Sequence, residues 1–453
     1  MDVRVHISNV MGIIDDVVLL NSYLDSIGVP PPKAKTDQGY KARLVCPKWW
    51  RRTLDRVKTR LVETTQIIEG RVSKKTSKYA SDYAVVKTAK RQRDNAQFIA
   101  EQCFISDFDD VVEMSDIVAK SLSNPTNRRA ELMIRMAGFE AYAMAHGYVG
   151  EFYTITCPSK FHRYKGHDFN EVYSDDTNPK FAQAYLCGQW AKIRSQMARD
   201  DVRVFGFRVA EPHHDGCPHW HMLLFVQPAH VELLRSTIKE YSLEMDGDEP
   251  GAEKYRFKAV AIDPEQGTAT GYIAKYISKN LGFSIADADL GDPSQTDYGL
   301  RVKAWSSVWG IRQFQQIGGV PVSIWRELRR LSDSVADEVI ESARKAADES
   351  RWADFLEIMG GALVRRDDMV IKLKKTMMVN KETSELKSNR YGELLTVVIG
   401  LFSVLSDVQT HTKQWVILPT KQLSAINPAG KARSAAAGLI SWSPVNNCTR
   451  SVQ

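Results

Sequence analysis

Residues 202–209 and 221–226 form two β-rich apolar runs, and Asp215-Gly216 stands between them. Asp-Gly is a strong turn signal, because glycine adopts positive φ at no steric cost and aspartate caps its own backbone. The chain is thereby expected to form a β-hairpin, and a lone hairpin needs further strands or a helical layer to bury its apolar face. Residues 152–156 and 255–262 also read as strands, whereas residues 180–199, 229–242 and 268–281 carry helical periodicity. Strands and helices alternating around an antiparallel pair give an α+β fold, a central antiparallel sheet with flanking helices.

A chain of 453 residues exceeds one ordinary domain. A basic, mainly helical region is expected over residues 1–125, broken at Pro30-Pro31-Pro32, with a DNA-contacting role. Residues 126–290 form the core that carries the chemistry. It opens with Asn124-Pro125, a helix cap, followed by an apolar stripe of Leu132, Met136, Phe139 and Ala143. Residues 291–361 are expected to be a mainly helical extension, and residues 362–453 mixed β and irregular, ending in a polar tail after about 418. The acidic stretch 105–116 reads as a connection or a helix start, and the Asp- and Gly-rich stretch 287–297 as a loop.

Six cysteines occur without a CxxC pair, which argues against a disulfide framework or a zinc ribbon and for a reducing compartment. No secretory leader pattern is visible at the start of the chain. The longest apolar run, residues 394–405, falls short of the roughly 20 residues that a membrane span needs, and reads as a strand or core segment. A cytoplasmic protein without a membrane partner is expected.

The formal net charge of +6 conceals an asymmetry. Residues 33–93 hold 18 Lys and Arg against five Asp and Glu, so the remainder of the chain is net acidic. Such a segment suits a polyanion, although a solvated helical face looks the same. Trp49, Trp50, Tyr79 and Tyr83 are interleaved with the charges, and aromatic faces that stack on bases would favour nucleic acid.

The densest chemistry lies in Glu211-Pro-His-His-Asp-Gly-Cys-Pro-His219-Trp-His221. Strand side chains alternate faces, so His219 and His221 point the same way and Trp220 the other. The Asp215-Gly216 turn folds the preceding strand back and can set Glu211 beside the pair. Two imidazoles and one carboxylate make a divalent site with open positions, suited to Mg²⁺ or Mn²⁺. An isolated His-x-His is more often a pair of half-buried histidines; the upstream glutamate and the turn favour the metal. A zinc cluster of His213, His214, Cys217 and His219 is too cramped in sequence. His213 and His214 are assigned to the hairpin or to DNA.

Some 50 residues on stands Gly271-Tyr272-Ile-Ala-Lys275-Tyr276-Ile-Ser-Lys279-Asn280. On a helix, Tyr272 and Tyr276 share a face one turn apart, and each has a lysine three residues later. Two neighbouring phenols suit two successive transesterifications, one attacking a phosphate while the other stays free. A phenol with a pKa of about 10 needs help near neutrality, from a metal on the phosphate and from Lys275 or Lys279 on the developing charge. Two packing aromatics and two solvated lysines would give the same pattern, and the metal motif upstream tips the balance.

Histidine–hydrophobic–histidine followed by tyrosine-x-x-x-tyrosine resembles the HUH endonucleases of the replication-initiator class. The chain resembles the replication gene A proteins of tailed temperate phages and related prophages. The strand Phe152-Tyr-Thr154-Ile-Thr156 resembles the family's first motif. Further likeness lies in Pro47-Lys-Trp-Trp-Arg51-Arg52, Asn127-Arg-Arg-Ala-Glu-Leu132, Arg301-Val-Lys-Ala-Trp305, Trp309-Gly-Ile-Arg312-Gln313-Phe-Gln-Gln316 and Trp325-Arg-Glu-Leu. It covers roughly residues 40–415; Cys217 departs from the small or hydroxyl residues common there, and nothing carries over beyond about 418. Histidines before tyrosines is the order of replication initiators.

The resemblance implies a Rep-like core with the histidines on a middle strand and the tyrosine helix alongside. It implies nicking of single-stranded origin DNA, a 5′-phosphotyrosyl link, a free 3′-hydroxyl for a host polymerase, and rejoining without ATP. Thr154, Thr156, Arg51, Arg52, Arg312 and Gln313 are candidate DNA contacts. No GxxxxGK motif followed by Ser or Thr occurs, so a host replicative helicase is the expected source of unwinding. Two other readings stay open: a two-tyrosine single-strand DNA transposase, and a non-catalytic DNA-binding initiator or repressor.

Overall fold

The computed structural model describes residues 2–166, 168–174, 176–281, 293–380, 383–413 and 415–426. Most of the stretch 287–297 and most of the polar tail lie outside these residues. The chain divides into two compact units: residues up to 66 with 374–399, and residues 67–373 with the segment from 400 onward.

In the first unit, the helices Val3–Met11, Val17–Ser26 and Asp37–Leu44 are capped by Asp2, Asp16 and Thr36, whose side-chain oxygens accept from first-turn backbone amides. They close on Val10, Leu20, Leu24, Leu44 and Trp50, with the Trp50 indole N–H donating to the Leu44 carbonyl at 2.6 Å. Trp50 is thus a core residue, and so is Tyr79 in the second unit. Neither ring is a platform for bases. Their amphipathic bodies are worth more in a packed interior than in water.

The second unit is built on a five-stranded antiparallel sheet. Its strands are β1 (Val149–Thr156), β2 (Phe205–Pro212), β3 (Pro218–Val226), β4 (Phe257–Ala261) and β5 (Phe314–Ile317), in the order β4-β1-β3-β2-β5. The expected hairpin is β2–β3, and its histidine strand is central. The helices that concern the site are α1 (Asp82–Ala100), α2 (Pro125–Ala145), α3 (Pro179–Arg199), α4 (Val231–Leu243), α5 (Ala269–Leu281), α6 (Pro293–Trp309), α7 (Val322–Leu328), α8 (Glu338–Asp348) and α9 (Trp352–Ile358).

Alternation along the strands sorts two cores. Phe152, Phe207, Val209 and Leu223 face α2, α5 and α7–α9 and pack with Phe139, Ile273, Ile277, Trp325 and Trp352. Tyr153, Ile155, Ala210, Trp220 and Met222 face the other way, against Leu186, Trp190, Leu234 and Trp305 of α3, α4 and α6. Helices on both faces explain why β2 and β3 are buried along nearly their whole length. At Gly206 the backbone of β3 comes so close that a Cβ would lie 2.0 Å from the Leu223 carbonyl oxygen, which only glycine tolerates. The fold class is the α+β arrangement expected from the sequence.

Two stretches differ from their expected form. Residues 102–113 hold the strands Gln102–Ser106 and Val111–Glu113, and Trp415–Pro419 adds a third strand to this small sheet. The partner strand Trp415–Pro419 lies far along the chain, so local composition shows no strand, whereas the helix start expected in 105–116 is present as the helix Met114–Lys120. Residues 293–297, placed in a loop, begin α6 with Pro293 in its first turn, where the missing N–H costs nothing. The apolar stretch 394–405 contains the strand Thr396–Phe402. Among the described residues, no helix is long and apolar enough to cross a membrane.

Candidate metal centre and tyrosine helix

The hairpin register sets Glu211 opposite His219 and Val209 opposite His221. The β1–β3 register sets Thr154 opposite His221 and Thr156 opposite His219. All five polar side chains therefore belong to the face that carries α5. The turn itself is tight: His213 N–H donates to the Cys217 carbonyl at 2.7 Å, and the Trp305 indole N–H holds the Gly216 carbonyl at 2.7 Å.

The two Nε2 atoms of His219 and His221 face each other at 2.9 Å, and Glu211 Oε2 lies 3.3 Å from His221 Nε2 and 3.7 Å from His219 Nε2. Two nitrogens at that spacing match two ligands about 2.1 Å from one ion and about 90° apart. His221 Nδ1 lies 3.1 Å from Thr154 Oγ1, a contact suited to the tautomer with its proton on Nδ1 and its Nε2 lone pair free. Burial holds the pKa of His219 well below the ordinary imidazole range, so the ring is neutral and fit to ligate. Among the described residues, Glu211, His219 and His221 are the group whose ligand atoms converge closely enough for a metal ion.

The tyrosine helix α5 lies against this centre. The Tyr276 ring stacks on His221 with centroids 3.9 Å apart, and Phe152 lies 5.4 Å from Tyr276 and 5.8 Å from Tyr272. Tyr276 is half-buried; burial, and then the Glu211 charge, raise its phenol pKa. Tyr272, one turn earlier, is 45% exposed. Lys279 Nζ stands 3.8 Å from Glu211 Oε2, whereas Lys275 points to solvent. The two lysines, four residues apart, share a helix face but are not equivalent, because only Lys279 stands at the turn of α5 that reaches Glu211.

Asn280 is a residue whose importance the motif did not reveal. Its side-chain amide donates to Glu211 Oε1 at 2.7 Å and to the Tyr276 carbonyl at 2.8 Å, and its oxygen accepts from Gln313 Nε2 at 3.2 Å. Asn280 thereby orients the carboxylate, and Gln313 orients Asn280. Thr156 does not join the cluster, since its hydroxyl donates to the Tyr255 carbonyl at 2.8 Å. Arg312 lies just before β5, with its Nε on the Phe314 carbonyl at 3.2 Å. Arg51 and Arg52 belong to the first unit, exposed on the helix Pro47–Ile68.

Beside the histidine pair, the hairpin turn meets part of the basic segment. The Tyr79 N–H donates to the His214 carbonyl at 3.1 Å, and Ser73, Lys74 and Lys75 line a cavity of about 140 Å³ with His213, His214 and Asp215. The His213 ring lies 4.1 Å from His219, and burial lowers its pKa to about 3. Burial opposes ionisation of Asp215, yet His162 at 3.1 Å and its other partners hold it at about 2. Cys217 is buried, with its thiol pKa pushed up by burial, and packs as a small apolar group.

Residues 29–283 match the family model of the bacteriophage replication gene A protein (GPA). The chain is 39% identical over 417 residues to the replication gene A protein of Escherichia phage 186, covering 89% of this chain and 58% of that protein. It is 37% identical over 416 residues to the probable replication protein P12 of Pseudoalteromonas phage PM2, covering 90% and 61%. It is 31% identical over 430 residues to a probable replication endonuclease from a prophage-like region of Salmonella typhi, covering 90% and 52%. The chain thus spans between about half and three fifths of these relatives' length. No solved structure matches it.

Proposed function

The chain belongs to the bacteriophage replication gene A protein family, and from that premise we propose that it is a single-strand DNA nickase that initiates rolling-circle replication at a phage origin. The observation that carries the reading is the stacking of Tyr276 on the His221 ring at 3.9 Å, with Tyr272 one turn away on the same face. Tyr276 thus borders the imidazole–carboxylate centre, and Tyr272 lies against Phe152, 5.8 Å away, on the same helix face.

The reaction is a transesterification. A tyrosine oxygen forms a bond to the scissile phosphorus and loses its proton to solvent, and the bond from phosphorus to the 3′ oxygen breaks. That oxygen takes a proton and leaves as a 3′-hydroxyl, while the 5′ end stays as a phosphotyrosyl ester. Attack on this ester by a later 3′-hydroxyl restores the phosphodiester, so its energy is kept and no ATP is consumed. Mg²⁺ or Mn²⁺ held by Glu211, His219 and His221 would polarise the phosphate. Asn280 and Thr154 fix the orientation of Glu211 and His221. Lys279 offers a cation beside the centre for charge that develops on phosphate or phenolate. Tyr272 is open to an incoming strand, and Tyr276 is held by its stack, so the pair is suited to sequential use. A host polymerase would extend the 3′-hydroxyl, and a host helicase would unwind the duplex ahead of it.

Incubation with end-labelled single-stranded origin DNA and Mn²⁺, followed by a denaturing gel, tests the reading. Label shifted to protein mass is expected. Tyr272→Phe with Tyr276→Phe should abolish that shift while DNA binding persists, and His219→Ala should abolish its dependence on metal. A covalent adduct surviving in the double variant would defeat the assignment of the phenols. A salt-sensitive complex without any adduct would make the chain a binding protein instead.

A further inference from the structure

On the sheet edge formed by β5, the second unit holds a cavity of about 640 Å³, a volume typical of ligand sites. Four guanidinium groups line it, those of Arg128, Arg135, Arg312 and Arg326, together with one carboxylate, Glu131. Glu131 is already engaged: Arg326 grips it through Nε at 2.8 Å and Nη2 at 2.6 Å, and Arg135 Nη1 lies 3.6 Å away. Arg135 also donates to Gln316, and its Nε is enclosed without a partner. Arg128 lies over the Phe314 ring, 5.2 Å from its centre. Burial lowers the pKa of Arg128, and that of Arg135 to about 10, with Arg326 repelling both.

Several like charges crowded around one carboxylate are costly unless an anion completes them. A stable fold therefore retains such a cavity at a cost, and planar donor forks are the groups that match phosphate oxygens. Chain neighbours of two of these arginines support the tyrosine helix. Arg129, next to Arg128 on α2, donates to Ser278 of α5 at 3.1 Å, and Gln313, next to Arg312, holds Asn280.

We propose that this cavity receives a phosphate-bearing nucleotide of the single DNA strand that flanks the cleaved bond. The inference rests on the nickase reading and adds to it a strand-positioning site apart from the phenols. Arg128 and Arg312 are the phosphate donors, while Arg326 and Glu131 form the fixed wall. Free inorganic phosphate shares the ligand's chemistry, but lacks the connected nucleotides that would anchor it.

The test uses the full chain in EDTA, where binding is read without cleavage, and fluorescein-labelled single-stranded oligonucleotides. Arg128→Gln with Arg312→Gln should weaken binding by about tenfold and lower the slope of log affinity against log salt by about 0.7 for each phosphate that is no longer neutralised. Because that variant could lose its fold, Ser323→Glu is the second arm: Ser323 lines the same cavity. A carboxylate there should raise the melting midpoint by neutralising the arginines and weaken oligonucleotide binding. Unchanged affinity in either variant, once folded, overturns the proposal. Thermal stabilisation of the parent protein by inorganic phosphate as strong as by an equal concentration of oligonucleotide also overturns it, and leaves an anion site. Absence of a covalent adduct in the parent protein with Mn²⁺ would sink the nickase reading instead, so the two failures are distinct.

Discussion

Asn280→Ala gives the sharpest test of how the candidate metal centre is built. The bond removed, from the Asn280 amide to Glu211 Oε1, is 2.7 Å long and buried. A hydrogen bond to a charged acceptor contributes about 1.5–3 kcal/mol. The same change frees Gln313 from its 3.2 Å contact and strips the Tyr276 carbonyl of a 2.8 Å donor. Among the described residues, Glu211 then keeps Lys279, 3.8 Å away, as its close partner outside the histidines. Since about 1.4 kcal/mol is a factor of ten, Mn²⁺ binding should weaken by roughly tenfold to a hundredfold. Calorimetric titration with Mn²⁺ reads this directly, and the metal-induced rise in melting midpoint should shrink in parallel. A folded Asn280→Ala protein whose Mn²⁺ affinity moves by less than about threefold would refute the argument that this amide positions the carboxylate.

Two further predictions concern packing and pH. Gly138→Ala on α2 sets helix propensity against sterics: alanine gains about 1 kcal/mol in a helix, but its Cβ would lie 2.4 Å from the Trp352 Cβ, an overpacking that costs about 1–3 kcal/mol. A lower melting midpoint is expected in a thermal scan, and a higher one would mean that α9 yields freely. In the first unit, Arg43 at 2.7 Å, with the Lys35 N–H and Asn389, holds the Glu393 carboxyl down at about 2. Its folded-state pKa lies below that of a free glutamate, so its contribution is complete above about pH 4.5 and disappears as pH falls toward 2. Glu393→Gln should therefore lower the midpoint at pH 7, with a gap that narrows below pH 4.5. A gap independent of pH would show that Glu393 acts by shape alone.

Much of the site was legible because it rests on short-range periodicity. Alternation along β3 turns His219 and His221 to one face, and the helical repeat of α5 puts Tyr272 and Tyr276 on one face, whatever the rest of the chain does. The Asp215-Gly216 turn reaches only a few residues to either side, and it sufficed to bring Glu211 opposite His219. Asn280 was not legible as a partner of Glu211, because 69 residues separate them and nothing local distinguishes it from a solvated helix asparagine. Arg312 was singled out in the sequence, but its meeting with Arg128 and Arg135 of α2 and Arg326 of α7 in one cavity was not legible, for the same reason. Trp50 and Tyr79 of the basic segment misled in the opposite direction, since composition does not say which rings turn inward.

By itself, the sequence determined the hairpin, the antiparallel α+β class and the faces of its histidines and tyrosines. All of these follow from backbone geometry repeated every two or roughly 3.6 residues. The tertiary structure decided which distant groups would meet: Tyr276 on His221, Asn280 on Glu211, and Arg43 on Glu393 across 350 residues. Such contacts form only when burial of whole helix and sheet faces offsets the entropy of closing long loops, and no window of neighbouring residues contains that balance.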